Sequence, residues 1–494
     1  MIDDIYQAGE LIRLGKAKMV EGKISQGTSL LKLATLFSSH EPLAHLEYGM
    51  ALSSCGHHEL ALTSHLRALA LAPGDLTVRF AVAQTKHQLC LIDEALEDYN
   101  QLIAEYPGFV EASSFRLVAL NYRSGNIQQN KRAATDYGAL LLGKEKPLAR
   151  QKNPRYRIGF LSPDFHEHSC AYFILPLLER VPEDTDVVLY YDNIHVDTFT
   201  KRFQELGTFK SVYEFDNAAL EEIIRSDHLD VLVDLAGHLG KNRLEIFGHR
   251  VAPVQVSYLG YPATTGVPTM DFRIADPIAD LGRQEHFTEK LLYLEGSMWA
   301  YQRPAIPEKS ENEPKLAAFG YFGMLSKITR EVATVWNMIL SAVPDSKLLI
   351  KGVLGNNRQM WHDRLGGWGL DMARVIMVDR TATVTDHLRM YRQISVALDT
   401  WPYNGTATTC EALVMGVPVV TLEGDVHAGR VGASLLRTVD PRRVAKNTLE
   451  YVNIAVAAAK DERRITLPAR TAWLNVNAVS TEFWEAIHEC CQHA

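Results

Sequence analysis

The sequence predicts an all-α helical-repeat domain followed by two Rossmann-like α/β halves, each built on a parallel sheet and facing the other across a cleft. Three observations lead there. The first third carries a 34-residue period, the chain after residue 150 alternates short apolar runs with longer helical stretches, and a polar proline-bearing link divides that alternation in two.

The repeat comes first along the chain. Gly22, Gly56 and Cys90 lie 34 residues apart, as do Ala61 and Ala95, and Pro73 and Pro107. A small residue inside each unit lets two antiparallel helices pack closely, and a proline at the unit end stops the second helix because it cannot continue the hydrogen-bond ladder. This is the tetratricopeptide pattern, with a weaker fourth copy around Gly125 and Asn126. Residues 1–148 are read as three to four such units; an irregular helical domain is the alternative, and the shared spacing weighs against it. Stacks of this kind curve and offer a concave groove to a peptide or partner protein.

The next block, residues 153–303, shows strand-like runs at Arg157–Leu161, Val187–Tyr191, Val231–Leu235 and Val254–Tyr258. Pro304, Pro307 and Pro314 mark the link. Residues 315–478 hold the second set, at Ala317–Phe322, Lys347–Ile350, Val375–Val378, Val396–Asp399 and Val417–Leu422. Continuously apolar strands separated by helices imply parallel sheets covered on both faces. Residues 479–494 form a last helix, with Ser480–Cys490 crossing back over the first half.

Composition narrows the function. With 47% hydrophobic and 22% charged residues in 494, the chain has material for more than one core and none of the bias of a disordered protein. Its 51 basic against 59 acidic residues give a formal charge of -8, which argues against nucleic acid as a bulk partner. No apolar run approaches the ~20 residues of a membrane helix. The acidic start lacks the features of an export signal, and six cysteines without a CxxC pair read as reduced thiols. A cytoplasmic location is expected.

In α/β folds of this kind ligands sit at the carboxyl ends of strands, and the chemistry-bearing residues gather there. The first strand runs into Ser162-Pro163-Asp164-Phe165-His166-Glu167-His168, the third into Ala236-Gly237-His238, and the fourth into Leu259-Gly260-Tyr261. In the second half Ala317–Phe322 precedes Lys327, and Val396–Asp399 precedes Asn404-Gly405-Thr406-Ala407-Thr408-Thr409-Cys410-Glu411, a hydroxyl-rich loop feeding a helix. Free N–H groups at such a helix start favour phosphate.

These stretches resemble the O-linked N-acetylglucosamine (O-GlcNAc) protein transferases of the SPINDLY type, in the bacterial form with few repeats. The matching segments are IGFLSPDFHEHS (158–169), VDLAGHLGKNRLEIFGHRVAPVQVSYLGYPATTG (233–266), SKIT (326–329) and LDTWPYNGTATTCEALVMGVPVVTLEGDVHAGRVGASLL (398–436). The resemblance implies a two-lobed GT-B fold, a UDP-sugar donor, inversion at the sugar carbon, no metal or other cofactor, and a protein serine or threonine as acceptor. A flagellar or surface protein held through the repeat groove is the acceptor it suggests.

Residue by residue, the resemblance puts Lys327 on the donor diphosphate. Without a metal the departing UDP needs a fixed cation, and one close charge pair is worth about 4 kcal/mol at an effective dielectric near 20. A solvated helix-face lysine is the plain alternative. Asn404 and Gly405 would line the UDP-sugar site, and Thr406 and Thr408, with the N–H groups of the helix they open, would hold phosphate oxygens, although the two hydroxyls could equally cap the helix. Glu411 would accept from the ribose hydroxyls, or simply be a first-turn glutamate favoured by the helix dipole. His387 would flank the uracil ring, with a surface histidine as the competing reading. His168 would sit over the reacting centre as base or as orienter of the acceptor, with His166 a neighbouring candidate. His238 would line the same cleft. Leu259 and Gly260 would offer the backbone against which the sugar packs, and Gly260 also reads as a turn residue. Asp227 is a weak alternative proton acceptor, and a solvent-exposed helix-end aspartate is the preferred reading.

Three positions depart from the pattern: Met324 for an amide, Ala407 for a threonine and Ala263 for a glycine. The leading expectation is transfer of N-acetylglucosamine or a related hexose to protein hydroxyls. An asparagine-directed protein hexosyltransferase of the same superfamily stands second. A non-catalytic repeat scaffold with a degenerate donor site stands third, and Lys327, Glu411 and His387 count against it.

Overall fold

The computed structural model describes residues 2–123, 127–148, 153–240, 242–280, 282–308, 315–352, 355–461, 464–469 and 471–492. Gly125, Asn126 and Pro314 lie outside them. Compactness divides the chain into two units: residues 1–123 with 324–326 and 352–372, and the remainder.

The first unit contains seven helices of the repeat, α1 (Ile2–Val20), α2 (Ile24–Phe37), α3 (Pro42–Ser54), α4 (His58–Leu71), α5 (Leu76–Gln88), α6 (Ile92–Glu105) and α7 (Val110–Leu120). The 34-residue marks acquire a physical meaning here. Gly22 and Gly56 turn the chain between paired helices at φ +75 and +77, and Cys90 takes the same left-handed turn at φ +62 without glycine's freedom. Ala61 and Ala95 are fully buried between helices. A later segment joins this unit. There the Asn357 amide donates to the Gly56 carbonyl at 2.9 Å, and the Arg364 guanidinium donates to the Leu89 carbonyl.

The second unit opens with α8 (Ile127–Ala139) and continues through β1 (Tyr156–Ser162), α9 (Ala171–Leu178), β2 (Thr185–Tyr191), α10 (Thr198–Gln204), β3 (Thr208–Ser211), α11 (Asn217–Ser226), β4 (Val231–Asp234), α12 (Leu244–Phe247), β5 (Val254–Ser257), β6 (Phe272–Ala275) and β7 (Lys290–Tyr293). Its second half holds β8 (Ala317–Tyr321), α13 (Arg330–Ala342) and β9 (Leu348–Gly352). After α14 (Arg358–Gly367), which belongs to the first unit, come β10 (Val375–Asp379), α15 (Val384–Met390), β11 (Ile394–Leu398), α16 (Ala407–Val414), β12 (Val419–Leu422), α17 (Val431–Leu436), β13 (Val444–Ala445), α18 (Thr448–Lys460) and α19 (Val476–Cys491).

Compactness therefore does not divide the chain at 148. Helix α8 belongs with the α/β body because a Cβ on Gly138 would lie 2.0 Å from the Gly266 carbonyl oxygen, a backbone approach open only to glycine. Residues 352–372, expected in the second half, group with the repeats instead.

Two parallel sheets form the body, in the orders β3-β2-β1-β4-β5-β6-β7 and β10-β9-β8-β11-β12-β13. Strands β3, β6, β7 and β13 escaped the sequence reading. They are two to four residues long, and β6 carries a fully buried Arg273 where an apolar side chain is expected. Strand order reverses between β1 and β4 and again between β8 and β11. Loops leaving a sheet at such a switch diverge and open a crevice at the strand ends.

The halves are joined by more than the link. Helix α19 lies on α9, where the Trp484 indole N–H donates to the Leu177 carbonyl at 3.0 Å and the ring meets Phe160 edge-on. On the other side, His427 Nδ1 stands 2.8 Å from the Asp280 carboxylate with both side chains almost fully buried. Arg430 beside it donates to the Ile278 carbonyl at 2.9 Å.

Candidate functional site

At the switch point of the second sheet, a depression opens over the ends of β8 and β11, with Phe322, Tyr391, Asp399, Thr408 and Thr409 among its walls. Asp399, one residue past β11, organises its floor. Its carboxylate accepts from the Thr400 and Gly405 N–H groups at 2.9 and 2.7 Å and from the Thr421 hydroxyl at 2.7 Å. Burial nevertheless pushes the carboxyl up to about 6.

Lys327 enters from the other switch strand. Its ammonium donates to the Asn404 carbonyl at 2.7 Å and lies 3.6 Å from the Tyr403 ring centre. Burial pulls it down to about 8, with the Asp399 charge opposing. This is an enclosed cation at the foot of a helix, which disposes of the solvated-lysine reading.

Two neighbours do other work than expected. The Asn404 side chain is fully buried, its amide donating to the Thr400 carbonyl at 2.7 Å and its oxygen accepting from the Gly432 N–H at 3.1 Å. It builds the loop and has no side-chain group pointing to a ligand; only its backbone carbonyl meets Lys327. Gly405 is required because a Cβ there would lie 2.4 Å from the Thr408 hydroxyl oxygen. Thr406 precedes α16 but makes no side-chain cap, so the capping alternative fails for it and its hydroxyl stays half-exposed at the helix start. The first N–H groups of α16 have no partner within the helix.

Glu411 is not a first-turn glutamate. It stands in the second turn of α16, where its carboxylate accepts from His387 Nε2 at 2.8 Å and from the Tyr391 hydroxyl at 3.0 Å. Lys351, at the end of β9, bonds His387 on the opposite ring nitrogen, Nδ1. In that network Nε2 faces the Glu411 carboxylate and Nδ1 faces the Lys351 ammonium. Burial lowers Lys351 to about 8, and the Glu411 charge works against it. The competing reading of His387 as a surface residue does not hold, since its side chain is only 16% exposed. Lys351 and Asp399 were missed; each is a charged residue closing an apolar strand, and that mismatch was the available signal.

The first sheet supplies the facing wall. His168, in the loop after β1, is 40% exposed; its Nδ1 accepts from the Cys170 N–H at 3.3 Å and stands 3.4 Å from the Asp164 carboxylate. Leu259 adopts φ +70, and a Cβ on Gly260 would lie 2.0 Å from the Leu235 carbonyl oxygen. Close packing therefore demands the glycine at 260, while the left-handed residue of the turn is its neighbour. Ala263 needs no glycine, being absent from the residues with positive φ, and the loop beyond it is held by Thr264 and Thr265 on the buried Glu289 carboxylate at 2.6 and 2.5 Å. Ala407 opens α16, and Met324 is 62% exposed.

Two expectations are corrected. His238 lines no open cleft: it is 1% exposed, donates from Nε2 to the Thr265 carbonyl at 2.7 Å and is flanked by the rings of Tyr137 and Tyr261. Burial holds it down to about 4, so it stays neutral and structural. Asp227 is not solvent-exposed; it is buried, accepts from the Tyr190 hydroxyl at 2.6 Å and pairs with Lys210 at 2.6 Å. An acceptor so engaged cannot serve as a base.

The two walls meet. Burial first and the Glu411 charge among the further causes raise the hydroxyls of Tyr172 on α9, to about 12, and of Tyr301. Among the described residues, no helix is long and apolar enough to cross a membrane.

The model of Glycosyl transferase family 41 matches residues 138–303 and 311–483. The chain is 38% identical over 379 residues to the "Probable UDP-N-acetylglucosamine--peptide N-acetylglucosaminyltransferase SPINDLY" of Petunia hybrida, covering 72% of this chain and 40% of that protein. It is 23% identical over 452 residues to the UDP-N-acetylglucosamine--peptide N-acetylglucosaminyltransferase of Caenorhabditis elegans, covering 66% of this chain and 39% of the other. The chain thus spans about 40% of the length of these curated relatives. Among solved structures, a mutant O-GlcNAc transferase of Thermobaculum terrenum superposes with a TM-score of 0.89 at 28% identity over 99% of both chains.

Proposed function

Because the chain belongs to glycosyl transferase family 41, we propose that it transfers N-acetylglucosamine, or a related hexose, from a UDP-sugar to serine or threonine hydroxyls of a protein, in the cytoplasm, with inversion and without a metal. The names of its relatives support the donor and the peptide acceptor. The observation that carries the reading is the Lys327 ammonium, enclosed at the foot of α16 and bonded to the Asn404 carbonyl beside a row of open helix-start N–H groups. A cation and a helix N-terminus together make a site for a dianionic diphosphate.

In this mechanism the acceptor oxygen attacks the anomeric carbon from the face opposite the diphosphate. The new C–O bond forms as the bond to the β-phosphate oxygen breaks. The acceptor proton passes to His168 or to a donor phosphate oxygen. Lys327, the N–H groups of α16 and the Thr406 and Thr408 hydroxyls hold the charge that develops on UDP. The ribose hydroxyls approach the Glu411, His387 and Lys351 network, and the uracil lies by His387.

The test is to incubate the purified chain with a panel of UDP-sugars and a lysate of its source, then read intact protein masses. A mass gain matching one sugar on a protein, removable by β-elimination, is the expected result. A product resistant to β-elimination overturns the hydroxyl acceptor in favour of asparagine, and no gain with any sugar, together with no thermal shift at millimolar UDP, leaves a scaffold.

The lysine also sets a pH dependence. Only the ammonium attracts a diphosphate, and its folded value of about 8 is below the usual lysine range. UDP affinity measured by calorimetry is therefore expected to be steady near neutrality and to fall as pH rises past about 8. The limit is roughly tenfold per unit, with proton uptake on binding.

A further inference from the structure

We propose that His166, His195 and Asp197 form a binding site for a divalent transition metal, zinc by its ligand chemistry, and that its occupancy switches the transferase down rather than serving the reaction. One ligand atom from each residue lies within 4.8 Å of the other two. The His195 Nε2 to Asp197 carboxylate separation is 3.5 Å. Donors about 2.0–2.2 Å from a tetrahedral zinc stand roughly 3.3–3.5 Å apart, so that pair needs almost no rearrangement. Two imidazoles and a carboxylate suit zinc, and three protein ligands leave the fourth position to water.

The surrounding bonds hold the ligands in place beforehand. The loop after β1 and the loop after β2 are bolted together: the Asn193 amide donates to the Pro163 carbonyl at 3.1 Å, and the Glu167 N–H donates to the Asp197 carboxylate at 2.7 Å. The other Asp197 oxygen caps α10 through the Thr200 N–H at 2.9 Å. The His195 carbonyl accepts from the Tyr191 hydroxyl at 2.5 Å, which fixes the backbone under the imidazole. Partners of this kind orient metal ligands. The His195 side chain is 60% exposed, which leaves a path from solvent.

A second trio, Asp164, His168 and Cys170, lies alongside. Its chemistry is wrong for the role. Burial holds the Cys170 thiol protonated, and His168 Nδ1 is taken by the Cys170 N–H. The two trios communicate through their rings, with centroids of His166 and His168 5.7 Å apart. An ion held on His166 therefore sits one ring away from His168, the side chain proposed to stand over the reacting centre.

The site is tested on the full chain stripped with chelator and then titrated with cobalt, followed by zinc. One equivalent of cobalt with visible d–d bands, displaced by one equivalent of zinc, is the expected result. His195→Ala, an exposed change outside the transfer machinery, should lose more than tenfold in metal affinity with its circular dichroism unchanged. Zinc should slow transfer by the parent and not by His195→Ala, and excess chelator should restore the parent. Absence of stoichiometric metal in the parent, or equal affinity in His195→Ala, overturns the site. Metal binding without zinc-dependent slowing overturns the switch. Cobalt bands in a chain that transfers no sugar would count against the proposed transfer alone, so the two failures are distinguishable.

Discussion

Lys327→Ala is expected to turn over 10²–10³-fold more slowly than the parent enzyme, the usual loss when one preorganised donor to a developing anion is removed (about 3–4 kcal/mol). The loss should fall on kcat and on UDP binding together, because in the proposed mechanism the ammonium meets the diphosphate both before and after the sugar leaves. The measurement is UDP release at saturating donor, with melting temperature recorded in parallel. Folding needs the control because the substitution removes a cation that lowers the buried Asp399 carboxyl. Asp399 retains its bonds from Thr400, Gly405 and Thr421, so the loop is expected to survive. A well-folded Lys327→Ala enzyme running at the parent rate would remove the diphosphate from this site and take the proposed mechanism with it.

The largest stability effect is expected from Trp484→Ala. The indole is 2% exposed, packs on Phe160 and Phe483, and bonds the Leu177 carbonyl. Emptying such a site costs about 3–5 kcal/mol from lost burial and the cavity left behind. Trp484→Phe keeps most of the ring and loses the N–H bond, so a cost nearer 1 kcal/mol is expected. Denaturant midpoints of the two variants separate packing from hydrogen bonding. Because α19 crosses from the second half to α9, the alanine variant should also lower transfer at temperatures where it remains folded, by loosening the hold of one half on the other. Equal midpoints for parent and alanine variant would show that the last helix carries no such load.

Much of this protein could be read from its residues in order. The 34-residue period announces itself because a left-handed turn between helices admits little besides glycine, and even the exception, Cys90, falls on the same beat. Buried strands such as β1, β8 and β11 are apolar enough to read by eye, and the segments that follow them hold His168, then Lys327, then Thr406, Thr408 and Glu411, because a switch in strand order opens a crevice there.

Short strands with polar content gave no such signal, and Arg273 in β6 shows why: its charge is accommodated by the Ser257 hydroxyl at the end of the neighbouring strand β5 and the Tyr261 carbonyl just beyond it. The same reason explains the misread residues. His238 and Asp227 carry the right side chains for chemistry, but whether a titratable group faces solvent or is sealed under Tyr137 or against Lys210 depends on partners far along the chain. Asp399 and Lys351 were the reverse case, looking like strand ends and proving to be the charged supports of the site. Side-chain type and local period are written into the chain. Burial and partnership arise only when remote segments close on one another, and these decide which ionisable groups can act.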